Sequence, residues 1–269
     1  MRKHKFNFLK SRQIESLIPS GLPLLIIVLW QLLSAIGVIP TRILPAPLDV
    51  VNAAFRLAST GELFRNIGIS AMRAITGFLL GGSIGFSLGL LNGISRLAEQ
   101  LLDTSIQMLR NIPNLALIPL VILWFGIGDE ARLFLVSLGV MFPIYLNTFH
   151  GIRSVDPGLI EMGKVYGLNA WGLFWRIILP GAMSSILVGV RFSLGIMWLT
   201  LIVAETIAAD SGIGYMAMNA REFMQTDVVV LSILLYALFG KLADAIARGL
   251  EDYWLQWHPS YQKVKAAKA

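Results

Sequence analysis

The residues of this chain best able to do chemistry are a few ionisable side chains set inside long apolar runs. A charge at mid-bilayer costs about 2.5 to 3.5 kcal/mol on insertion scales and needs a partner or a task. Arg191 interrupts the run Ile177 to Ala204. Its guanidinium could attract an anion, or it could hold a salt bridge or a carbonyl on a neighbouring helix. The second reading is preferred, because a tight anion site releases its ligand slowly. Glu205 and Arg73 stand near the ends of their apolar runs, where structural pairing or gating fits better than ligand binding. His150 reads as a packed or interfacial residue, since no second metal ligand stands near it. The absence of cysteine excludes disulfides, thiolate metal sites and cysteine nucleophiles.

Glycine and proline carry the next signals. Gly77, Gly81, Gly85, Gly89 and Gly93 recur at every fourth position, which lines them along one slowly winding helix face that another backbone can approach. A phosphate loop would need Gly-Lys-Ser/Thr at the head of a helix after a strand, and none occurs. Pro113 and Pro119 remove two backbone donors from a short stretch and leave carbonyls that need other partners. A helix broken there could line a pathway or could simply bend to fit its neighbours, and Pro143 poses the same choice.

Composition indicates which elements must position these residues. Of the 269 residues, 56% are hydrophobic and only 14% charged, against roughly 25% charged in an average soluble domain. With a mean hydropathy of +0.70, the bilayer is the solvent to assume. Charge-free windows near the roughly 20 residues needed to cross about 30 Å of hydrocarbon are therefore the units to count. Leu22 to Ile39, Ala74 to Ile94 and Asn111 to Gly128 qualify, the last extended by Thr104 to Leu109 across Arg110. Leu133 to Ile152 holds only His150, Ile177 to Ala204 holds only Arg191, and a sixth run begins at Val228 and meets Lys241, Asp244 and Arg248 at pairing distances along a helix. The expected fold class is all-α, a polytopic membrane protein with six transmembrane helices.

Topology also accounts for the +6 net charge, which might otherwise suggest nucleic acid, because the basic residues sit in tails and short loops. Placing both termini in the cytoplasm puts Arg2, Lys3, Lys5, Lys10, Arg12, Arg96, Arg153, Lys164, Arg176 and the C-terminal lysines inside, and leaves no lysine outside. If the first run were instead a cleaved signal peptide ending near Ala35-Ile36-Gly37, five spans would remain and the basic N-terminal tail would be lost. The chain then divides into a cytoplasmic tail over 1–21, a transmembrane domain over 22–250 with an inner loop at 153–180, and a second tail over 251–269. Pro47, followed by Leu48, Val51 and Phe55 at helical spacing, predicts a short interfacial helix in the first outer loop.

The inner loop is the most informative segment. Glu161, Met162, Gly163, Gly167, Ile177, Leu179 and Pro180 resemble the E-A-A-x3-G-x9-I-x-L-P pattern in the cytoplasmic loop of permeases from ATP-driven importers of the ABC class. Met162 and Gly163 replace the two alanines. Ile43 to Pro47, Leu109 to Pro113, Ile122 to Gly128, Arg153 to Asp156 and Asn219 to Phe223 look like the branch that handles sulfonates, taurine and nitrate. Ile202 to Ile207 followed by Ser211 to Tyr215 is most similar to the aliphatic sulfonate permeases.

The resemblance implies a type I ABC importer permease fold and a pathway enclosed by two copies of the chain, with Asn114, Arg191, Trp198 and Glu205 as candidate pathway residues. It implies two cytoplasmic ATPase subunits, which bind ATP and Mg and dock on the Glu161 to Trp175 loop, so that no cofactor and no catalysis belong to this chain. A solute-binding protein is expected to dock on Leu44 to Phe64 and Thr206 to Asp227. A secondary transporter would need buried carboxylates for ion coupling, and none lies in the charge-free cores of the first four runs. A membrane-embedded hydrolase would need histidine beside carboxylates at ligand spacing, and no apolar run holds that pair.

Overall fold

The computed structural model describes residues 21–257. The expected N-terminal tail over 1–21, apart from Gly21, and residues 258–269 of the expected C-terminal tail lie outside the described residues. Those described are helical with turns, and no strand occurs among them. They form two compact units, one of 21–64 with 216–234 and the other of 65–215 with 235–257.

In the first unit, α1 (Gly21–Ala35) is an apolar helix whose outward leucines and isoleucines are exposed. Helix α2 (Pro47–Ser59) is the short helix expected from Pro47, which occupies its first turn, where a missing amide proton costs least. Asp49 accepts a hydrogen bond from the Ala46 N–H at 3.1 Å and so closes that end. Leu48, Val51 and Phe55 form its exposed apolar face, while Val50 and Ala53 are buried.

Helix α3 (Glu62–Ile94) carries the glycine ladder into the second unit, against α6 (Asp129–Arg153). A methyl group at Gly81 or Gly85 would overlap the backbone of Ser137 or Met141, and one at Gly89 would stand 2.7 Å from the Tyr145 carbonyl. Ser137 Oγ, in turn, donates to the Gly77 carbonyl at 3.1 Å. The ladder is thus a packing surface whose lack of side chains lets two helix backbones approach.

Between these helices the third apolar run is not one rod. Helix α4 (Arg96–Arg110) and helix α5 (Asn114–Phe125) meet at a bend of 84°. Pro113 is extended (φ −61°, ψ 119°) and precedes a 3-10 turn over Asn114–Leu117. Pro119 falls in the first turn of the α-helical part, Ile118–Phe125, so both prolines sit where no helical donor is needed.

Helix α7 (Pro157–Val165) follows α6 after a short turn. The next helix, α8, covers Ala170–Ile207 and begins earlier than the apolar window Ile177 to Ala204 suggests. Pro180 lies in the first turn of its α-helical part, Leu179–Ala208, where a missing amide proton costs least. A π turn over Phe174–Ile178, in which the Leu179 N–H bonds the Phe174 carbonyl, accommodates the proline that would otherwise break the ladder.

Helix α9 (Ile213–Glu222) leads into α10 (Thr226–Trp254), which runs past the expected start of the tail at 251. Among the described residues four helices, α3, α6, α8 and α10, are long and apolar enough to cross a bilayer, or five spans if the bent α4–α5 pair is one. The first of the six expected spans is described as the shorter apolar helix α1. Within the second unit α6 and α8 form the core, tied by Ser193 Oγ to the Val140 carbonyl at 3.0 Å and by Ser185 Oγ to the Asn147 carbonyl at 2.8 Å.

Candidate functional site

Three places in the second unit gather the residues singled out in the sequence. The first is the inner loop. Asp156 caps α7 by accepting from the Gly158 N–H at 2.8 Å, and Pro157 pre-sets its first turn. Gly167, at φ +76°, ends it in the left-handed conformation, with the Leu168 N–H reaching back to the Gly163 carbonyl at 3.0 Å. Asn169 then caps α8 through the Gly172 N–H at 2.8 Å.

Gly163 is buried beneath Ile177 and Leu173: a methyl group there would collide with Ile177 and stand 2.9 Å from Leu173 Cδ2. The inner face of the loop is therefore locked to the root of α8, near Leu179 and Pro180. Its outer face shows Met162, Val165, Tyr166, Trp171 and Trp175, all exposed, with Glu161 exposed among them. Trp171 and Trp175 meet edge to face, with ring centroids 5.5 Å apart.

The second place is the break between α4 and α5. Asn114 lines a cavity of about 410 Å³ there, with Pro113, Pro143 and Asn147 among its walls. Gly139 supplies its floor: a methyl group at this position would stand 3.2 Å from Asn114 Nδ2 and 3.0 Å from Thr200 Oγ1. Asn147 Nδ2 donates to the Pro143 carbonyl at 2.8 Å.

The third is a buried polar cluster around Glu205. Its carboxylate accepts from Ser70 Oγ at 2.8 Å, Arg73 Nη1 at 3.0 Å, the Gly214 N–H at 3.0 Å and Tyr236 OH at 3.0 Å. Ser70 Oγ also accepts from the Ile213 N–H, and Asn66 Oδ1 from the Gly212 N–H. The amides of Gly212, Ile213 and Gly214 at the start of α9 are thus held by side chains, and a carboxylate sits where the helix dipole favours it.

Arg73 extends the cluster outward, donating to the Ser211 carbonyl at 2.6 Å and to Asp129 Oδ1 at 2.8 Å. Asp129 is shared with Arg132 at 2.6 Å. At the exposed rim, Asp210 is held below the ordinary carboxylate value, chiefly by its own backbone N–H and by the Ser211 hydroxyl, with Arg132 and Arg73 adding to the effect.

Trp198 belongs with this cluster, since its ring stacks on Phe239 at 5.0 Å and meets the edge of Tyr236 at 6.3 Å. Arg191 stands apart, paired with Asp244 at 2.8 Å and Glu251 at 3.6 Å. Of the four candidate pathway residues, Trp198 and Glu205 are brought together through Tyr236, whereas Asn114 and Arg191 each line a separate cavity. Sequence reasoning missed Ser70, Asp129 and Tyr236. Their only signal was a polar atom in or beside an apolar run, shared with many residues of no such role. His150 packs against Phe149, with ring centroids 5.2 Å apart, and no group of metal-ligating side chains occurs among the described residues.

Long apolar helices, a helix pair bent at Pro113 and a capped loop helix packed on the root of the next long helix make up a polytopic helical membrane fold. The chain belongs to the family described as binding-protein-dependent transport system inner membrane component, whose profile matches residues 77–253. It is 62% identical, over 92% of its length and 94% of the relative's, to SsuC of Escherichia coli (strain K12), provisionally named an aliphatic sulfonates transport permease protein. The protein of the same name in Bacillus subtilis (strain 168) is 45% identical over 90% of this chain and 87% of its own. The taurine transport system permease protein TauC of Escherichia coli is 30% identical over 97% and 96%.

Among solved structures, an amino acid ABC transporter superposes with a TM-score of 0.57 at 15% identity, covering 72% of this chain and 97% of that one. The MetNI methionine ABC transporter in an inward-facing conformation gives 0.54 at 18%, covering 70% and 95%. The fold is that of a type I ABC importer permease, and the role is transport.

Proposed function

We propose that this chain is the permease subunit of an importer for aliphatic sulfonates, working as two copies with two cytoplasmic ATPase subunits and a solute-binding protein outside. The observation that carries the substrate is the 62% identity, spanning nearly all of both chains, to the Escherichia coli relative named for aliphatic sulfonates. In this reading both termini lie in the cytoplasm, and the loop over 153–180 receives force from the ATPases. ATP and Mg are bound by those subunits.

The exposed surface of Met162, Val165, Tyr166, Trp171 and Trp175 supports that role, since it offers aromatic anchors to a groove on another protein. The buried seam of Gly163, Leu173 and Ile177 supports it too, because motion of the docked helix passes to the root of α8 without slack. ATP-driven closure of the ATPases then favours one arrangement of the permease through unequal docking energies. Leu44 to Phe64 and Thr206 to Asp227 form the outer contact surface for the binding protein.

Uptake by proteoliposomes holding the permease, its ATPase and its binding protein tests this. Alkanesulfonates should enter only with ATP inside the ATPase compartment. Accumulation by the permease alone would refute the ATP-coupled reading, and uptake confined to taurine or nitrate would move the substrate within the same family.

A further inference from the structure

Arg73, Arg132, Arg153, Arg191 and Arg248 each face a carboxylate in this fold. Arg110 does not. It ends α4 at the 84° break, inside the third apolar run, and no carboxylate or hydrogen-bond partner meets its side chain among the described residues. Arg110 and Asn114 line the same cavity of about 410 Å³, whose walls include no acidic residue and present Phe142, Phe192 and Ile196. Two other cavities of the second unit that hold arginine differ: one is also lined by Asp129, Glu130 and Asp210, and the other by Asp244 and Glu251. An anion entering either would meet cations already neutralised.

We propose that the cavity at the α4–α5 break is a resting site for an alkyl anion on its way through the permease. Arg110 and the Asn114 amide take the sulfonate oxygens, and Phe142, Phe192 and Ile196 cover the aliphatic chain. The volume falls within the range of about 300 to 1,000 Å³ typical of small-molecule sites, and an apolar wall with a few convergent polar groups is their usual make-up. A single cation on an exposed side chain binds weakly enough to release, as a conducting site requires. This rests on the sulfonate reading above, which itself places no residue in contact with the solute.

The test compares wild type, R110Q, R110K and F192A, each assembled with its ATPase and binding protein in proteoliposomes, for uptake of ethanesulfonate and hexanesulfonate and for basal ATP hydrolysis. R110Q should lose about tenfold or more in uptake of both, the usual effect of removing a charge-assisted hydrogen bond. R110K should recover part of the loss. F192A should slow hexanesulfonate more than ethanesulfonate, a chain-length effect that a purely structural defect would not produce.

Wild-type uptake of alkanesulfonate with unchanged R110Q kinetics would overturn the site and leave the importer reading standing. Failure of the wild type to move any alkanesulfonate would overturn both. Should R110Q not assemble, saturation transfer from the wild-type chain in lipid nanodiscs to hexanesulfonate protons decides: a signal displaced by ethanesulfonate but not by neutral hexyl methyl sulfone is expected, and no signal would refute the site.

Discussion

Glu205 Oε1 and Arg73 Nη1 stand 3.0 Å apart although their positions are 132 residues apart in the chain, and both side chains are almost wholly buried. Around this pair the N-terminus of α9 is fastened to α3 and α8, with Glu205 on the Gly214 N–H, Ser70 on the Ile213 N–H, Asn66 on the Gly212 N–H and Arg73 on the Ser211 carbonyl. Breaking a buried pair by removing one member costs about 3 to 5 kcal/mol, because the other charge is left behind. Glu205→Ala should therefore lower the thermal midpoint of the purified permease sharply and open residues 209–215 to protease. Glu205→Gln, which keeps an acceptor for Ser70 or Gly214, should fall between it and the wild type; identical melting of all three would contradict the anchoring role.

Asp210 adds a pH dependence at the rim of the same cluster. Its carboxyl is held below its ordinary value by its own N–H and by Ser211, so the folded loop binds its proton less readily than the unfolded one. Stability from this source is present above the ordinary carboxylate value of about 3.9 and is lost as pH falls through the lower folded value. Amides of Ser211 and Gly212 should exchange more slowly in wild type than in D210N above that window, and the difference should vanish only as pH falls through it. A difference that changes between pH 6 and 8 would speak against Asp210 as its source.

The glycine ladder makes a mechanical prediction. A methyl group at Gly85 would overlap the Met141 backbone, which cannot move aside as a side chain can. Forcing such a contact costs about 1 to 3 kcal/mol or more. Gly85→Ala should reduce the yield of folded, detergent-stable protein, while an alanine at Gly195, where no atom lies within 4 Å, should be tolerated. Size-exclusion profiles of the two variants read the contrast directly.

In the inner loop, Gly167 has a positive φ that proline cannot adopt, and its N–H bonds the Lys164 carbonyl at 2.9 Å. Gly167→Pro should leave insertion intact but uncouple uptake from ATP and weaken pull-down of the ATPase. Gly163→Val should do the same by prising α7 from Ile177. Full ATP-driven uptake by both variants would remove the loop from the coupling path.

Several of these features were legible before any coordinates. The four-residue glycine period, the α2 start at Pro47 and the break at Pro113 are local properties, written in spacing and in backbone donors that are missing. The extent of α8 was less legible, since the apolar window begins at Ile177 whereas the helix begins at Ala170 and absorbs Pro180 through a π turn. Hydropathy registers what a residue prefers to face, and it carries no information about a hydrogen-bond register that shifts by one position.

By itself the sequence determined that the chain lives in a bilayer, which segments are long enough to cross it, and which loop carries the importer-like pattern, because length, apolarity and spacing are linear quantities. Only the tertiary structure decided that Glu205 closes on Arg73 and Tyr236, that Arg191 meets Asp244, and that Arg110 faces a cavity with no acid in its walls. Those outcomes depend on the rotation and depth of each helix against its neighbours. Charges far apart in sequence become partners, or remain without one, only when packing brings their helix faces together.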